Sequence, residues 1–139
     1  MAENKLADMS TEFAVKILTL TDGIKGHYSL VNQFERSGTS IGANLAEAEC
    51  AISKKDFLAK VYIALKECAE TKYWLELLYE TQYLTKEEYK SIAGDCEELR
   101  RMLSATTRTM NSTLHSSHST LHTIRKSRRN YGENHKLYH

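Results

Sequence analysis

Arg36 to Glu49 read RSGTSIGANLAEAE, small and polar residues where a water-soluble helix normally carries Leu or Ile. Arg36, Ser40, Asn44 and Glu47 recur at helical steps and so share one face. Leu30, Phe34, Ile41, Leu45 and Ala48 keep heptad-like spacing through and around the segment, which predicts a helix from about Ser29 to Cys50. Gly38 and Gly42 lie inside it, each costing roughly 1 kcal/mol relative to Ala. Their small volume suits close approach of a second helix.

Working outward, the next helix opens at Ser53 with Asp56 three residues on, a capping-box-like pair. It runs to about Glu80, roughly 40 Å at the helical rise. Phe57, Val61, Ala64, Cys68, Leu75 and Leu78 form one apolar stripe, and Leu58, Tyr62, Leu65, Ala69, Tyr73, Trp74 and Leu77 widen it. A stripe wider than about 100° implies a second partner, here a subunit interface. Before these two helices, Asn4 to Leu20 carries Leu6, Met9, Phe13, Ile17 and Leu20 on one side and stops at Thr21-Asp22-Gly23. After them, Thr85 with Glu88 opens a fourth helix, whose Tyr89, Ile92, Cys96, Leu99, Leu103, Thr106 and Met110 repeat every three or four positions. Short connections between long helices predict an all-α, antiparallel, up-down four-helix bundle.

The composition agrees. The 139 residues include no proline and few glycines, and they suffice for one domain with its own core. Residues 1–111 carry 14 Lys and Arg against 17 Asp and Glu, whereas residues 112–139 carry five basic residues, one acidic residue and five of the six histidines. This shift marks a boundary: a bundle over 1–111 and a basic, His/Ser-rich tail over 112–139. The tail repeats Ser-Thr-Leu-His at 112–115 and 119–122, and its polar composition predicts a frayed or disordered extension. Cys50, Cys68 and Cys96 are widely spaced without a CxxC, and two of them fall on apolar helical positions, the pattern of core thiols in a reducing compartment. MAENKLADMS has neither a basic nor an apolar leader region, and no run of 18 apolar residues occurs. A cytoplasmic protein is expected, with no membrane partner.

Chemistry finds little support. A carboxylate-bridged dimetal bundle needs Glu-x-x-His on two helices, and no Glu here has a His three residues later. Ser37 and Ser40 lie in S-G-T-S-I-G, which is not GxSxG, and His27 is the lone histidine of residues 1–111. Neither GxxxxGK[ST] nor GxGxxG is present. His118 and His122, with His115 nearby, share a helical spacing but lack an acidic or thiolate companion. No catalytic residue, metal site or cofactor is therefore expected.

Two residue sets carry the remaining interest. Arg36, if buried, requires an acidic partner, since an unpaired buried charge costs about 3–5 kcal/mol. Glu67 or Glu70 of the third helix, or Glu47 of a neighbouring chain, are the candidates, and Arg36, Ser40, Asn44, Glu47, Glu67 and Glu70 are expected to form a polar network fixing register or subunit geometry. Lys60, Lys66, Lys72, Arg100, Arg101 and Arg108 are the candidate nucleic-acid contacts, because oligomerisation would repeat each of them around a groove or pore.

RSGTSIGANLAEAE, then SKKDFLAKVYIALKECAETKYWLELL, the Thr85-Lys-Glu-Glu-Tyr start and the Cys96-Glu-Glu-Leu-Arg segment resemble the four-helix bundle family of 23S rRNA intervening-sequence proteins. That family is similar to the accessory variability determinants of diversity-generating retroelements. The resemblance covers about Leu6 to Met110. It implies a bundle that assembles into a ring, typically a homopentamer, with a non-enzymatic role linked to RNA or DNA. The alternative it leaves is an oligomeric scaffold for a protein partner such as a reverse transcriptase, without direct nucleic-acid contact.

Overall fold

The computed structural model describes residues 5–136, and side chains for residues 5–115. Four helices account for it: α1 (Lys5–Thr21), α2 (Tyr28–Glu49), α3 (Lys54–Glu80) and α4 (Lys86–Lys136). No strand occurs among the described residues.

Local chemistry sets the helix ends. Ser53 is extended, and its Oγ accepts from the Asp56 amide at 3.0 Å while the Asp56 carboxylate accepts from the Ile52 amide at 3.3 Å. Thr85 and Glu88 form a reciprocal capping box at the start of α4, at 3.1 and 2.9 Å. Both satisfy amides that a helix start leaves without partners. The entrance to α2 works differently. Gly26 and His27 both adopt left-handed backbone, with φ of 100° and 44°, and no side chain caps the helix. The His27 ring instead packs edge-on against Tyr83, with centroids 5.1 Å apart. Gln82 in the α3–α4 turn is also left-handed, so both loops at this end of the bundle hold sparsely populated backbone.

Each helix packs on two others: α1 on α2 and α4, α3 on α2 and α4, while the diagonal pairs make no contact. This is the up-down bundle expected from the apolar spacing. Phe13 and Ile17 of α1, Phe34 and Ile41 of α2, Val61 and Leu75 of α3, and Ile92 and Leu103 of α4 meet in the centre, all essentially inaccessible. The core is filled by the 3.6-residue periodicity and little else.

Gly38 and Gly42 are where α1 and α2 come together. A Cβ on Gly38 would meet Ile17 Cδ1 well inside van der Waals contact, and one on Gly42 would stand 3.1 Å from Ser10 Oγ. The buried hydroxyls are all satisfied within their own helices. Ser10, Thr21, Ser37, Thr71 and Thr107 each donate to a carbonyl three or four residues earlier, at 2.7 to 3.2 Å. These bonds remove the desolvation cost of burial, and Thr21 Oγ1 also reaches across to α2, where it lies 2.5 Å from Glu35 Oε1.

The second apolar side of α3 divides in two. Leu58 is buried and Leu65, Trp74 and Leu77 are half-buried, but Tyr62, Ala69 and Tyr73 face outward with Ile63. The segment expected as a separate tail continues α4 to Lys136 with no break in the helix at residue 112. No helix among the described residues is long and apolar enough to cross a membrane.

Candidate functional site

The face of α2 that opened the sequence meets α3. Arg36 lies in the upper half of α2, level with Glu67 and Glu70, which are three residues apart on α3 and so project together. Its guanidinium reaches Glu70 Oε1 at 2.5 Å and both oxygens of Glu67 at 3.4 Å. Trp74 Nε1 donates to the same Glu70 oxygen at 3.2 Å. The Arg36 bond, with the Trp74 bond behind it, holds the Glu70 carboxyl below the usual carboxylate range. Glu70 in turn raises the Arg36 guanidinium.

Two parts of the expected network differ. Arg36 is not buried: its side chain is 49 % exposed. An exposed pair of this kind contributes about 0.2–1 kcal/mol, and its geometry fixes α2 against α3 more than it stabilises either. Ser40, Asn44 and Glu47 are not joined to the cluster. Ser40 donates to the Arg36 carbonyl at 2.6 Å and Asn44 to the Ser40 carbonyl at 2.8 Å, both within α2. Glu47 stands eleven residues from Arg36, roughly 16 Å along the helix. It therefore meets the opposite end of α3, where it pairs with Lys60 at 2.8 Å.

That pairing also changes the standing of Lys60, whose amine is raised by the bond to Glu47. Three of the other candidate cations, Lys72, Arg100 and Arg101, act on Glu97 at the α3–α4 seam. Arg100 forks onto Glu97, Nε to Oε2 at 2.9 Å and Nη2 to Oε1 at 2.6 Å. Glu97 is held below the usual carboxylate range by that fork first, then by the fields of Arg101 and of Lys72 across the seam. One carboxylate thus stands among three cations. Lys66, Lys72, Arg101 and Arg108 are exposed, and none has a carboxylate partner within 4 Å among the described residues. Arg101 and Arg108, seven residues apart, share one stripe of α4.

The serines offer no nucleophile. Ser37 is buried with its Oγ donating to the Phe34 carbonyl at 3.2 Å, and Ser40 donates within its own helix. No three His, Cys, Asp or Glu side chains converge among the described residues. Of the tail histidines, His118 and His122 lie outside the described side chains.

Two features carried no signal in the sequence. Cys68 and Cys96 face each other across α3 and α4, with Sγ atoms 3.6 Å apart. The glycine-histidine left-handed pair at 26–27 is bound to Tyr83, a contact that only the meeting of two loops creates.

Comparison with known proteins follows from this architecture. The family model described as 23S rRNA-intervening sequence protein matches residues 2–105. No curated protein matches the chain. Among solved structures, the chain is similar to a protein of unknown function of the S23 ribosomal protein family from Bacteroides thetaiotaomicron VPI-5482. The two are 47 % identical with a TM-score of 0.69, over 73 % of this chain and 97 % of that one.

Proposed function

This chain belongs to the 23S rRNA-intervening sequence protein family, and from that premise we propose that it acts without catalysis, as a self-assembling cytoplasmic bundle that holds RNA or DNA by its phosphates. The observation that carries the reading is the α3–α4 seam, where Arg100 is forked onto Glu97 while the exposed Lys72 and Arg101 have no carboxylate within 4 Å among the described residues. Lys66 and Arg108 add unpaired charge on the exposed faces of the same two helices. Surplus cations presented without carboxylate partners attract a polyanion and release its counterions, whatever its base sequence.

Self-assembly is supported by two exposed apolar surfaces on diagonal helices. Val15 and Leu18 project from α1, at 59 % and 44 % exposure, and Tyr62, Ile63 and Tyr73 from α3. Different patches on opposite sides fit a head-to-tail contact, which closes into a ring when the rotation permits. Five protomers is the number that the family resemblance implies. A ring would repeat the seam around its axis and multiply the field of each protomer.

Fluorescence anisotropy of a labelled single-stranded RNA and of duplex DNA, titrated with the full chain between about 50 and 200 mM salt, tests the reading. Binding that weakens linearly on a log–log salt plot is expected, with a shallower slope for Lys72→Ala/Arg101→Ala. Equal loss on replacing the tail residues Arg125, Lys126, Arg128 and Arg129 by Gln, with the seam variant unaffected, moves the contact out of the bundle. Absence of binding at low salt leaves the scaffold reading, in which the apolar faces hold a protein such as a reverse transcriptase.

A further inference from the structure

The proposed function makes no use of the two thiols in the middle of the bundle. Cys68 and Cys96 are 1 % and 3 % exposed. Their sulfurs are in van der Waals contact at 3.6 Å. Cys68 Sγ donates to the Cys96 carbonyl at 3.4 Å and Cys96 Sγ to the Cys68 carbonyl at 3.5 Å. Each thiol is thereby aimed at the other helix's backbone, and each sulfur at the other sulfur. Two cysteines serving only as small apolar fillers need no such mutual orientation.

A disulfide requires about 2.05 Å between sulfurs, so the pair has to close by roughly 1.5 Å. The surroundings favour one thiolate. The contact with Cys96, helped by the field of Arg100 and opposed by burial, lowers the Cys68 thiol, while the same contact and burial raise Cys96. When Cys68 ionises, the Cys96 thiol can turn to donate to it, which eases the first ionisation, and the resulting charge opposes the second. Access comes from α4 itself. Gly94, less than one turn before Cys96, is exposed, and a Cβ built there meets nothing within 4 Å. An exposed glycine in a helix interior lowers the cost of local opening at that turn.

We propose that Cys68 and Cys96 are a reversible modification site, closed to a cross-helix disulfide by a two-electron oxidant of the hydroperoxide class. The Cys68 thiolate attacks one oxygen of hydrogen peroxide, giving a sulfenic acid and, with the thiol proton, one water. Cys96 sulfur then displaces the sulfenic oxygen, which leaves as a second water carrying the Cys96 proton. Two thiols lose two electrons, and one peroxide is reduced to two waters. The site is independent of the nucleic-acid reading. Its closure ties α3 to α4 directly beneath Lys72 and Arg100.

The two cysteines are 28 residues apart. Closing a loop of that length in the unfolded chain corresponds to a rise in Tm of about 10 °C for a domain of this size. The test uses the full-length Cys50→Ser chain, which removes the exposed third thiol. On treatment with stoichiometric hydrogen peroxide, this chain is expected to lose about 2 Da and both titratable thiols. It then yields a non-reducing peptide joining Cys68 to Cys96 and melts about 10 °C higher, all reversed by dithiothreitol. Thiols that survive peroxide in the folded chain and react only after denaturation would overturn the proposal, as would sulfinic acid without linkage or a lower Tm. A Cys50→Ser/Cys96→Ala chain, confirmed helical by circular dichroism, is expected to show neither the linked peptide nor the rise; a rise that persists there also refutes it.

Discussion

Replacing Gly38 by Ala isolates the contact that the small residues of α2 exist to make. In an isolated helix the change is favourable by about 1 kcal/mol. Here the new methyl falls on Ile17 Cδ1, and Ile17 is fully buried, so the δ-methyl cannot swing into solvent. Forcing a methyl into a packed site costs about 1–3 kcal/mol, which leaves the variant about 0–2 kcal/mol less stable than the parent. Ile17→Val alone removes Cδ1 and costs about 0.5–1.5 kcal/mol. Combined, the two changes compensate: once Cδ1 is gone, the nearest Ile17 atoms lie at 3.6 and 3.7 Å from the new Cβ, ordinary contact. The double variant is therefore expected within about 0.5 kcal/mol of the parent, with a coupling of about 1–3 kcal/mol. Urea unfolding of the four chains, followed by circular dichroism at one fixed protomer concentration, gives this coupling directly. Single effects that add to within about 0.5 kcal/mol would show that α1 and α2 do not approach through Gly38 as described.

Three further outcomes follow from the same geometry. Gly94→Ala meets no neighbour and is expected to raise stability by about 1 kcal/mol in the same urea assay. The Glu70 carboxyl is depressed in the folded chain, so its contribution is complete above the ordinary Glu range and disappears as pH falls through the lower folded pKa. Glu70→Gln is expected to flatten that part of the acid limb in thermal melts between about pH 5 and 3, whereas an unchanged limb means that Arg36 does not hold Glu70 in solution. Tyr73→Glu places a charge on the outward face of α3, where Tyr73 is 54 % exposed. Light scattering is then expected to give a smaller particle with undiminished helix content, and an unchanged mass excludes that face as the contact.

The helices were legible because their signals are local. Apolar spacing, Ser53 with Asp56, and Thr85 with Glu88 all act within a turn or two, and every helix end but the last falls within a residue or so of its expected place; α4 alone runs past residue 111, to Lys136. Arg36 with Glu67 and Glu70 was also readable, since antiparallel neighbours bring those levels of α2 and α3 together. Glu47 with Lys60 follows from the same antiparallel register, yet each residue alone looked like something else: one like a subunit contact, the other like a phosphate contact. Spacing places residues on faces but does not say how far along the partner helix they land. The facing of Cys68 and Cys96 depends on α3 and α4 being set level to within a fraction of a turn, and the His27–Tyr83 contact on two loops meeting. Neither leaves a trace in any single segment.

The cyclic packing order has a kinetic consequence. Three of the four helix seams join segments that follow one another along the chain, and the fourth, α1 with α4, is the thinnest of the set. Most contacts thus close short loops, which places the protein among rapid folders, on the microsecond-to-millisecond scale. The long loop between α1 and α4 carries its entropy cost for the least return, so that seam is expected to form after the barrier is crossed. The Lys16–Asp95 pair, at 2.7 Å the direct bridge between those two helices, would then show φ-values near zero alongside larger values at the α2–α3 contacts. Breaking that seam should hasten unfolding while leaving the rate of folding almost untouched.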